Sequence, residues 1–178
     1  MFEQVIDFWF NEIDSKMWWV KDTAFDQTIG ERFGQLHTQA TKCELYSWRD
    51  SSQGCLAEVI VLDQFSRNMY RDTALAFAAD SLALALAQNA IARGFDQQLS
   101  KTQRGFLYIP FMHSESAAIH QIAVALYRQL GDENQLDYEL RHQTIIERFG
   151  RYPGRNKALG RASTPQEIEF LKQPNSSF

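Results

Sequence analysis

Arginine and carboxylate residues recur at helical spacing within one apolar stretch of the sequence. Asp63, Arg67 and Arg71 are four residues apart, so on a helix they lie on one face. Residues 59–62 before them are all apolar, which predicts a helix that is buried on most sides. Two interpretations stay open, an Asp63–Arg67 ion pair within the helix or a polar stripe that faces a cavity. On a largely buried helix, Arg67 is expected to be paired.

A second run of the sequence, "FGRYPGRN" at 149–156, repeats this chemistry. It places Arg151 and Arg155 around a Pro-Gly turn, and its Arg-Asn ending matches the Arg-Asn pair that ends at Asn68. Arginine is suited to bidentate recognition of carboxylate or phosphate, and Asn68 and Asn156 add neutral donors. We expect Arg151 and Arg155 on an exposed loop. The alternative is a solvated turn whose arginines contact nothing.

The surroundings of this second run are strongly basic. Residues 141–161, which end at Arg161, hold six basic side chains and one acidic one, although the whole chain has a net charge of −4. The negative overall charge argues against general nucleic-acid binding. The local positive charge favours an anionic partner, and like-charged arginines brought together require internal acids or a bound anion.

The third candidate group is "PFMHSES", with His113 and Glu115 two residues apart. Residues two apart point away from each other on a helix, so these two share a site only if His113 precedes the helix. A catalytic interpretation makes His113 a general acid–base that Glu115 or Asp63 orients. The alternative is a structural histidine.

Other kinds of site have little support. Glu139-x-x-His142 matches half of a di-iron signature, which requires a second copy that the sequence lacks. The nucleotide-binding P-loop and Rossmann patterns and the G-x-S-x-G elbow are absent from the sequence. We therefore expect no metal and no cofactor, and reduced thiols at Cys43 and Cys55.

Helical periodicity dominates the elements that must position these residues, and no convincing period-two strand is present. The pattern predicts an all-α protein of seven to eight helices in antiparallel hairpins, forming one domain over 1–173 with a frayed tail at 174–178. The expected helix boundaries are these: starts at Asp22, Ser51 or Ser52, Thr73, Ser100, Ser114, Gln135 and Thr164; ends at Gly94, Gly131 and Gly150; an interruption at Pro110.

The sequence also favours a soluble, cytoplasmic protein without a membrane partner. Its longest uncharged helical stretch, between Asp80 and Arg93, has twelve residues, whereas a span needs about 20. Glu3 and Asp7 stand where a signal peptide carries basic residues.

Several segments resemble the bacterial family catalogued as domain of unknown function 924. They include "VIDFWF", "LAEVIVLDQFSRNMYRDTALAFAAD", "FLYIPFMHSES" and "IIERFGRYPGRNKALGRASTPQE", in order from about Phe2 to Leu171. The resemblance implies a tetratricopeptide-like, right-handed array of helices, and it implies no activity.

The family's polar positions fall on residues in all three runs. They are Asp63, Gln64, Arg67, Asn68, Arg71, His113, Ser114, Glu115, Arg151, Arg155, Asn156 and Arg161. The family usually has histidine where this chain has Gly154. Either that histidine is dispensable or this member is altered.

Three classes of function follow from these residues. The first is a module that binds a small anion or an acidic peptide through Asp63, Arg67, Asn68, Arg71, His113, Glu115, Arg151, Arg155, Asn156 and Arg161. The second is a hydrolase or transferase acting on a phosphate or carboxylate ester, with His113, Glu115 and Asp63 as catalytic candidates. The third is a helical scaffold for another protein. The sequence leaves oligomeric state open.

Overall fold

The structure is a computed structural model that describes residues 1–174 and 176. All regular elements among these residues are helical, which confirms the all-α prediction. The chain groups into two compact units, one formed by Met1–Arg71 and Leu75–Pro110, the other by Asp72–Ala74 and the described residues from Phe111 onward. The single-domain and tetratricopeptide-like arrangements stay predictions.

The first unit contains five helices. They are α1 (Phe2–Asp7, continued by a π-helical turn at Phe8–Glu12), α2 (Thr23–Thr41), α3 (Ser52–Ile60, a π-helical turn at Val61–Phe65, then Ser66–Met69), α4 (Asp80–Ala92) and α5 (Lys101–Met112, whose last two residues belong to the second unit). Short 3-10 turns, such as Tyr46–Asp50, connect several of them.

Helix α3 lies at the centre of the first unit. Every residue from Gly54 to Ser66 is buried, as expected for a helix with apolar residues on most sides. The π-helical turn at Val61–Phe65 inserts one residue into the usual repeat, and it contains Asp63, which is only 1% exposed. Gln64 donates from Nε2 to Asp63 Oδ2 at 2.6 Å, so this buried carboxylate has a neutral partner on its own helix.

Aromatic rings fill the space around α3. The Trp9 ring packs edge-on against Phe65 and Phe106, with centroids 5.5 and 5.8 Å apart, and the Phe33 ring lies 4.9 Å from Phe65. Such pairs contribute about 0.5–1.5 kcal/mol each beyond the area they bury. The high aromatic content of the sequence therefore forms a core that holds α3 in place.

The second unit is built on a helical hairpin. Its helices are α6 (Ala117–Leu130), α7 (Glu133–Phe149) and α8 (Pro165–Phe170). Only Gly131 and Asp132 join α6 to α7, and the two helices pack along one another. Gly131 has a φ of 69°, a left-handed conformation that glycine adopts without strain and that ends α6 as its position predicts.

Side-chain caps account for several helix starts. Asp22 accepts from the N–H of Phe25 at 2.8 Å, and Ser51 accepts from the N–H of Gly54 at 3.1 Å. Thr164 and Glu167 form the expected capping box, in which each side chain accepts from the other residue's N–H.

Several helix boundaries differ from the sequence expectation. Helix α6 begins at Ala117, with Ser116 as its N-cap, where a start at Ser114 was expected. Helix α7 begins at Glu133, where a start at Gln135 was expected.

Two further differences involve a 3-10 turn and a proline. Helix α4 begins at Asp80, because a separate 3-10 turn at Ala74–Phe77 follows the predicted cap Thr73. Helix α5 continues through Pro110 to Met112. Proline near the end of a helix removes one hydrogen bond but leaves the preceding turns intact, so the expected interruption at Pro110 is wrong.

One helical stretch in the described part of the chain has the length and composition of a membrane span. It is Ala74–Ala92, which is 19 residues long. Its most apolar part has a mean hydropathy of 1.4, and 33% of that part is buried. The core helix of a soluble protein can have the same length and composition, so this stretch is weak evidence for a membrane span. The predicted localisation stays a prediction.

The predicted frayed tail falls mostly outside the described residues, because Asn175, Ser177 and Phe178 are not among them. Ser176 is 7% exposed, and its hydroxyl donates to the carbonyl of Leu171 at 3.1 Å.

Candidate functional site

The first arginine cluster lies in the first unit and consists of Arg67 and Arg71 with the carboxylates Asp26, Asp63 and Asp80. Arg67 donates from Nη1 and Nη2 to the two Asp80 oxygens at 2.8 and 2.9 Å, and its Nη1 lies 3.3 Å from Asp63 Oδ1. Arg71 donates from Nε and Nη2 to the two Asp26 oxygens, both at 2.6 Å. The expected pairing of Arg67 is confirmed, and it includes Asp80 as well as the Asp63 contact within α3.

A shallow cleft of about 510 Å³ lies beside this cluster, and Asn68 and Arg71 line it. Asn68 donates from Nδ2 to Asp26 Oδ1 at 2.8 Å, so the amide is bonded to the same carboxylate as Arg71. Glu31 also lines the cleft. The lining therefore carries the carboxylates of Asp26 and Glu31 and the guanidinium of Arg71. This net negative charge does not suit an anionic ligand.

The second arginine cluster lies in the second unit and consists of Arg151, Arg155 and Arg161 with Glu115 and Glu167. Arg151 donates from Nε and Nη2 to the two Glu167 oxygens at 2.7 and 2.9 Å. Arg161 donates from Nη1 and Nη2 to the two Glu115 oxygens at 2.7 and 2.9 Å. Two arginines are thus held in bidentate geometry, in which both hydrogen bonds are charge-assisted.

These ion pairs control the ionisation of the two carboxylates. Burial raises the pKa of Glu115, but hydrogen bonds from Arg161 and from the N–H of Tyr152, with the nearby positive charges, lower it more, so the net shift is downward. The hydrogen bonds from Arg151 hold the pKa of Glu167 at about 2. Both groups are anions at neutral pH and act as fixed internal counter-ions.

Arg155 is 6% exposed, so the expectation that it lies on an exposed loop is wrong. Its guanidinium stacks on the Tyr152 ring, 4.5 Å from the centroid, and its Nη2 donates to the carbonyl of His113 at 2.9 Å. Arg155 is the last residue of a 3-10 turn, Pro153–Arg155, in which its side chain is buried. An aromatic face provides a desolvated surface that attracts a cation, which explains the burial.

Asn156 joins the parts of the second arginine cluster. It is 1% exposed, accepts from Arg161 Nε at 3.0 Å and donates to Ser163 Oγ at 3.0 Å. Arg151 is about three-tenths exposed and Arg161 about a quarter, so both side chains are partly accessible to solvent. The Nη1 of Arg151 makes no hydrogen bond to any residue that the structure describes.

His113 lies beside the second arginine cluster, of which Glu115 is a member, and both residues precede α6. The carbonyl of His113 accepts from Arg155, whereas the oxygens of Glu115 accept from Arg161 and from the N–H of Tyr152 at 2.7 Å. The catalytic interpretation requires a carboxylate that orients His113. Both oxygens of Glu115 already accept hydrogen bonds from Arg161, and one of them also accepts from the N–H of Tyr152.

A buried histidine–carboxylate pair is present elsewhere in the second unit, at residues that the sequence analysis did not combine. His120 Nδ1 lies 2.6 Å from Glu139 Oε1, and both side chains are fully buried. His120 Nε2 lies 2.9 Å from the carbonyl of Ser114 and 3.1 Å from the hydroxyl of Tyr152. The spacing Glu139-x-x-His142 drew attention to α7 only as half of a di-iron signature, which was set aside because the sequence lacks the second copy. Among residues 1–174 and 176, no three histidine, cysteine or acidic side chains form a group able to hold a metal ion.

Several partners of the arginines also escaped the sequence analysis. Asp26, Asp80 and Glu167 each hold an arginine, yet none was a candidate. Glu167 was visible only as part of a capping box. No local spacing connects Asp26 to Arg71, because the pair joins residues 45 positions apart.

Comparison with known proteins gives similarity in sequence and fold without an activity. A family model described as a bacterial protein of unknown function (DUF924) matches residues 5–175. No curated protein matches the chain. A solved structure of a protein of unknown function from Agrobacterium tumefaciens is 41% identical, with a TM-score of 0.91 and 96% of each chain covered.

Proposed function

Because this chain belongs to the bacterial DUF924 family, whose function is unknown, we propose a function from the geometry: it binds a small anion that carries carboxylate or phosphate groups, at the second arginine cluster. The edges of Arg151 and Arg161 contact the ligand, and Arg155, His113 and Asn156 support them. An acidic peptide carries the same carboxylate chemistry and is a further ligand to test.

The observation that carries this proposal is the fixed, part-exposed geometry of Arg151 and Arg161. Each guanidinium is held by both oxygens of one carboxylate and by a backbone carbonyl, that of Ala162 for Arg151 and that of Tyr152 for Arg161. The Nη1 group of each arginine keeps N–H capacity for a ligand, and both side chains are partly exposed. A preorganised arginine loses little side-chain entropy when an anion binds, so more of the interaction energy appears as affinity.

The surrounding charge supports an anion at this cluster. The exposed side chains of Arg148 and Lys157 belong to the same basic segment, residues 141–161. Their positive potential attracts anions and raises the rate of encounter. The first arginine cluster has the opposite balance, since Asp26, Asp63 and Asp80 outnumber its two arginines.

The catalytic alternative has less support. Its candidate base, His113, needs a carboxylate partner, and Glu115 is bound to Arg161. His120 has a carboxylate partner in Glu139, but both side chains are fully buried and out of reach of a substrate. Binding therefore agrees better with the geometry than acid–base catalysis does.

Isothermal titration tests the proposal with inorganic phosphate, citrate and a short poly-glutamate peptide as probes. We expect saturable binding of at least one probe, weakened by added salt because the cluster is open to solvent. Arg151→Gln removes a charged donor at the cluster and should weaken binding about tenfold or more.

Arg141→Gln is the matched control. Arg141 also carries a surface ion pair, with Asp137, and its loss changes the net charge by the same amount. Binding that is unchanged in Arg141→Gln and weakened in Arg151→Gln supports the proposal. Equal weakening in both variants, or no binding of any probe by the wild type, contradicts it.

A further inference from the structure

The hydrogen bonds around His120 determine how many protons this side chain and Glu139 hold together. A carbonyl oxygen only accepts, so His120 Nε2, 2.9 Å from the carbonyl of Ser114, must carry a proton. The Tyr152 hydroxyl donates to the carbonyl of Met112, which leaves its oxygen to accept from the same Nε2–H. Nε2–H is therefore fixed by two acceptors.

The contact on the other side of the ring requires a second proton. His120 Nδ1 and Glu139 Oε1 are 2.6 Å apart, and two lone pairs at that distance repel each other unless a proton lies between them. Either an imidazolium donates to a carboxylate, or a protonated Glu139 donates to a neutral imidazole. Both arrangements contain the same number of protons and have no net charge.

The environment makes this uncharged state the stable one. Both side chains are fully buried, where a net charge is costly. Glu139 Oε2 has no hydrogen-bond partner among the described residues, and an unpartnered oxygen costs less on a neutral acid than on a carboxylate. Burial also raises the pKa of Glu139, an effect that the hydrogen bond and charge of His120 oppose.

We propose that His120 and Glu139 hold one shared proton throughout the neutral range, so that the chain takes up a proton on folding above about pH 6.5. Because the folded pair keeps this proton, the stability of the second unit depends on pH. The pair joins α6 to α7 and, through Tyr152, to the segment that carries the second arginine cluster. The proposal does not depend on anion binding.

The other titratable and charged groups nearby do not replace this proton. On α7, burial lowers the pKa of His142 to about 3, so that ring is neutral here. The charges of His113 and Arg155 act on His142 in the same direction. Glu115 is ion-paired with Arg161, and Tyr152 donates to a carbonyl.

The sign of the pH effect follows from the proton counts. Above about pH 6.5 the unfolded pair has released the proton that the folded pair keeps, so the unfolding free energy falls as pH rises. Below about pH 4.5 the unfolded pair holds one proton more than the folded pair, so stability falls again with acid. The pair stabilises the fold most between these two values.

The first test compares the wild type with Glu139→Gln by urea unfolding between about pH 7 and pH 9. The glutamine amide donates to His120 Nδ1 without a titrating proton. The ratio of the two folding constants should change about tenfold per pH unit, the wild type losing stability faster. Glu147→Gln, an exposed change on the same helix, should parallel the wild type. Parallel curves for Glu139→Gln overturn the proposal.

A second measurement uses the wild type alone and remains informative if Glu139→Gln does not fold. The ring resonances of His120 in an NMR titration should stay in place between about pH 5 and pH 8, because the folded pair neither gains nor loses a proton there. A titration of that ring with a midpoint near pH 6.5 overturns the proposal.

Discussion

Individual buried side chains connect the stability of the second unit to pH. His142 is 4% exposed, its Nδ1–H donates to the carbonyl of Tyr138 at 2.7 Å, and burial lowers its pKa from 6.5 to about 3. The unfolded chain therefore binds a proton at this residue in mild acid where the folded chain does not. The neutral ring stabilises the fold fully above about pH 6.5, and this contribution is lost as pH falls toward 3.

Replacement of His142 by glutamine should remove this dependence. Between about pH 6.5 and pH 5, the unfolding free energy of the wild type should fall relative to that of His142→Gln, by at most about 1.4 kcal/mol per pH unit. Urea unfolding at several pH values measures it. Glu115 and Glu167 do not contribute in this pH range, because their lowered pKa values make stability depend on pH only below about pH 4.5. A constant difference between the two proteins would show that the ring is solvated.

The carboxylate partners of the arginines mark the limit of sequence reasoning at this scale. Arg151, Arg161 and Asn156 were candidates by residue type and spacing, and the structure places all three together. Glu115 was a candidate as well, but its pairing with Arg161 was not predicted, since the two residues are 46 positions apart and only tertiary folding brings them together. Whether these residues bind a ligand stays a prediction.

At the scale of elements, helix ends with local signals were predictable and irregular turns were not. Asp22, Ser51 and Thr164 cap helices through contacts within three residues, so the sequence itself specifies them. The π-helical turns depend on packing against other elements, because α3 is buried throughout Gly54–Ser66. Local propensity contains no information about such packing.

The contact between α3 and the turn before it gives a prediction about two glycines. A Cβ on Gly54 would lie 2.0 Å from the carbonyl oxygen of Trp48, whereas a Cβ on Gly34 in α2 would meet nothing within 4 Å. Gly54→Ala should therefore destabilise the fold by about 1–3 kcal/mol or more, because backbone must move. Gly34→Ala should stabilise it by about 0.5–1 kcal/mol through helix propensity.

Urea unfolding of both alanine variants beside the wild type measures the two free energies. The pair serves as its own control, because each variant adds one methyl group to a helical glycine. A Gly54→Ala protein as stable as the wild type would contradict the close approach of α3 to Trp48.

At the scale of the whole molecule, the two units carry arginine clusters of similar composition and opposite charge balance. Arg67 and Arg71 are matched by three aspartates, as expected for ion pairs that brace helices. Arg151 and Arg161 belong to a strongly basic segment and are about as exposed as Arg67 and Arg71, so charge balance is what distinguishes the two clusters. The central claim is that the second cluster binds an anion while the first is structural.

The most direct measurement of this claim is an NMR titration of the arginine Nε–Hε resonances with inorganic phosphate and with citrate. We expect saturable shifts at Arg151 and Arg161 with at least one of these anions. Arg67 and Arg71 should stay in place, because three aspartates give their cluster a net negative charge that repels anions. No saturable shift at Arg151 or Arg161, or larger shifts at Arg67 and Arg71, would contradict it.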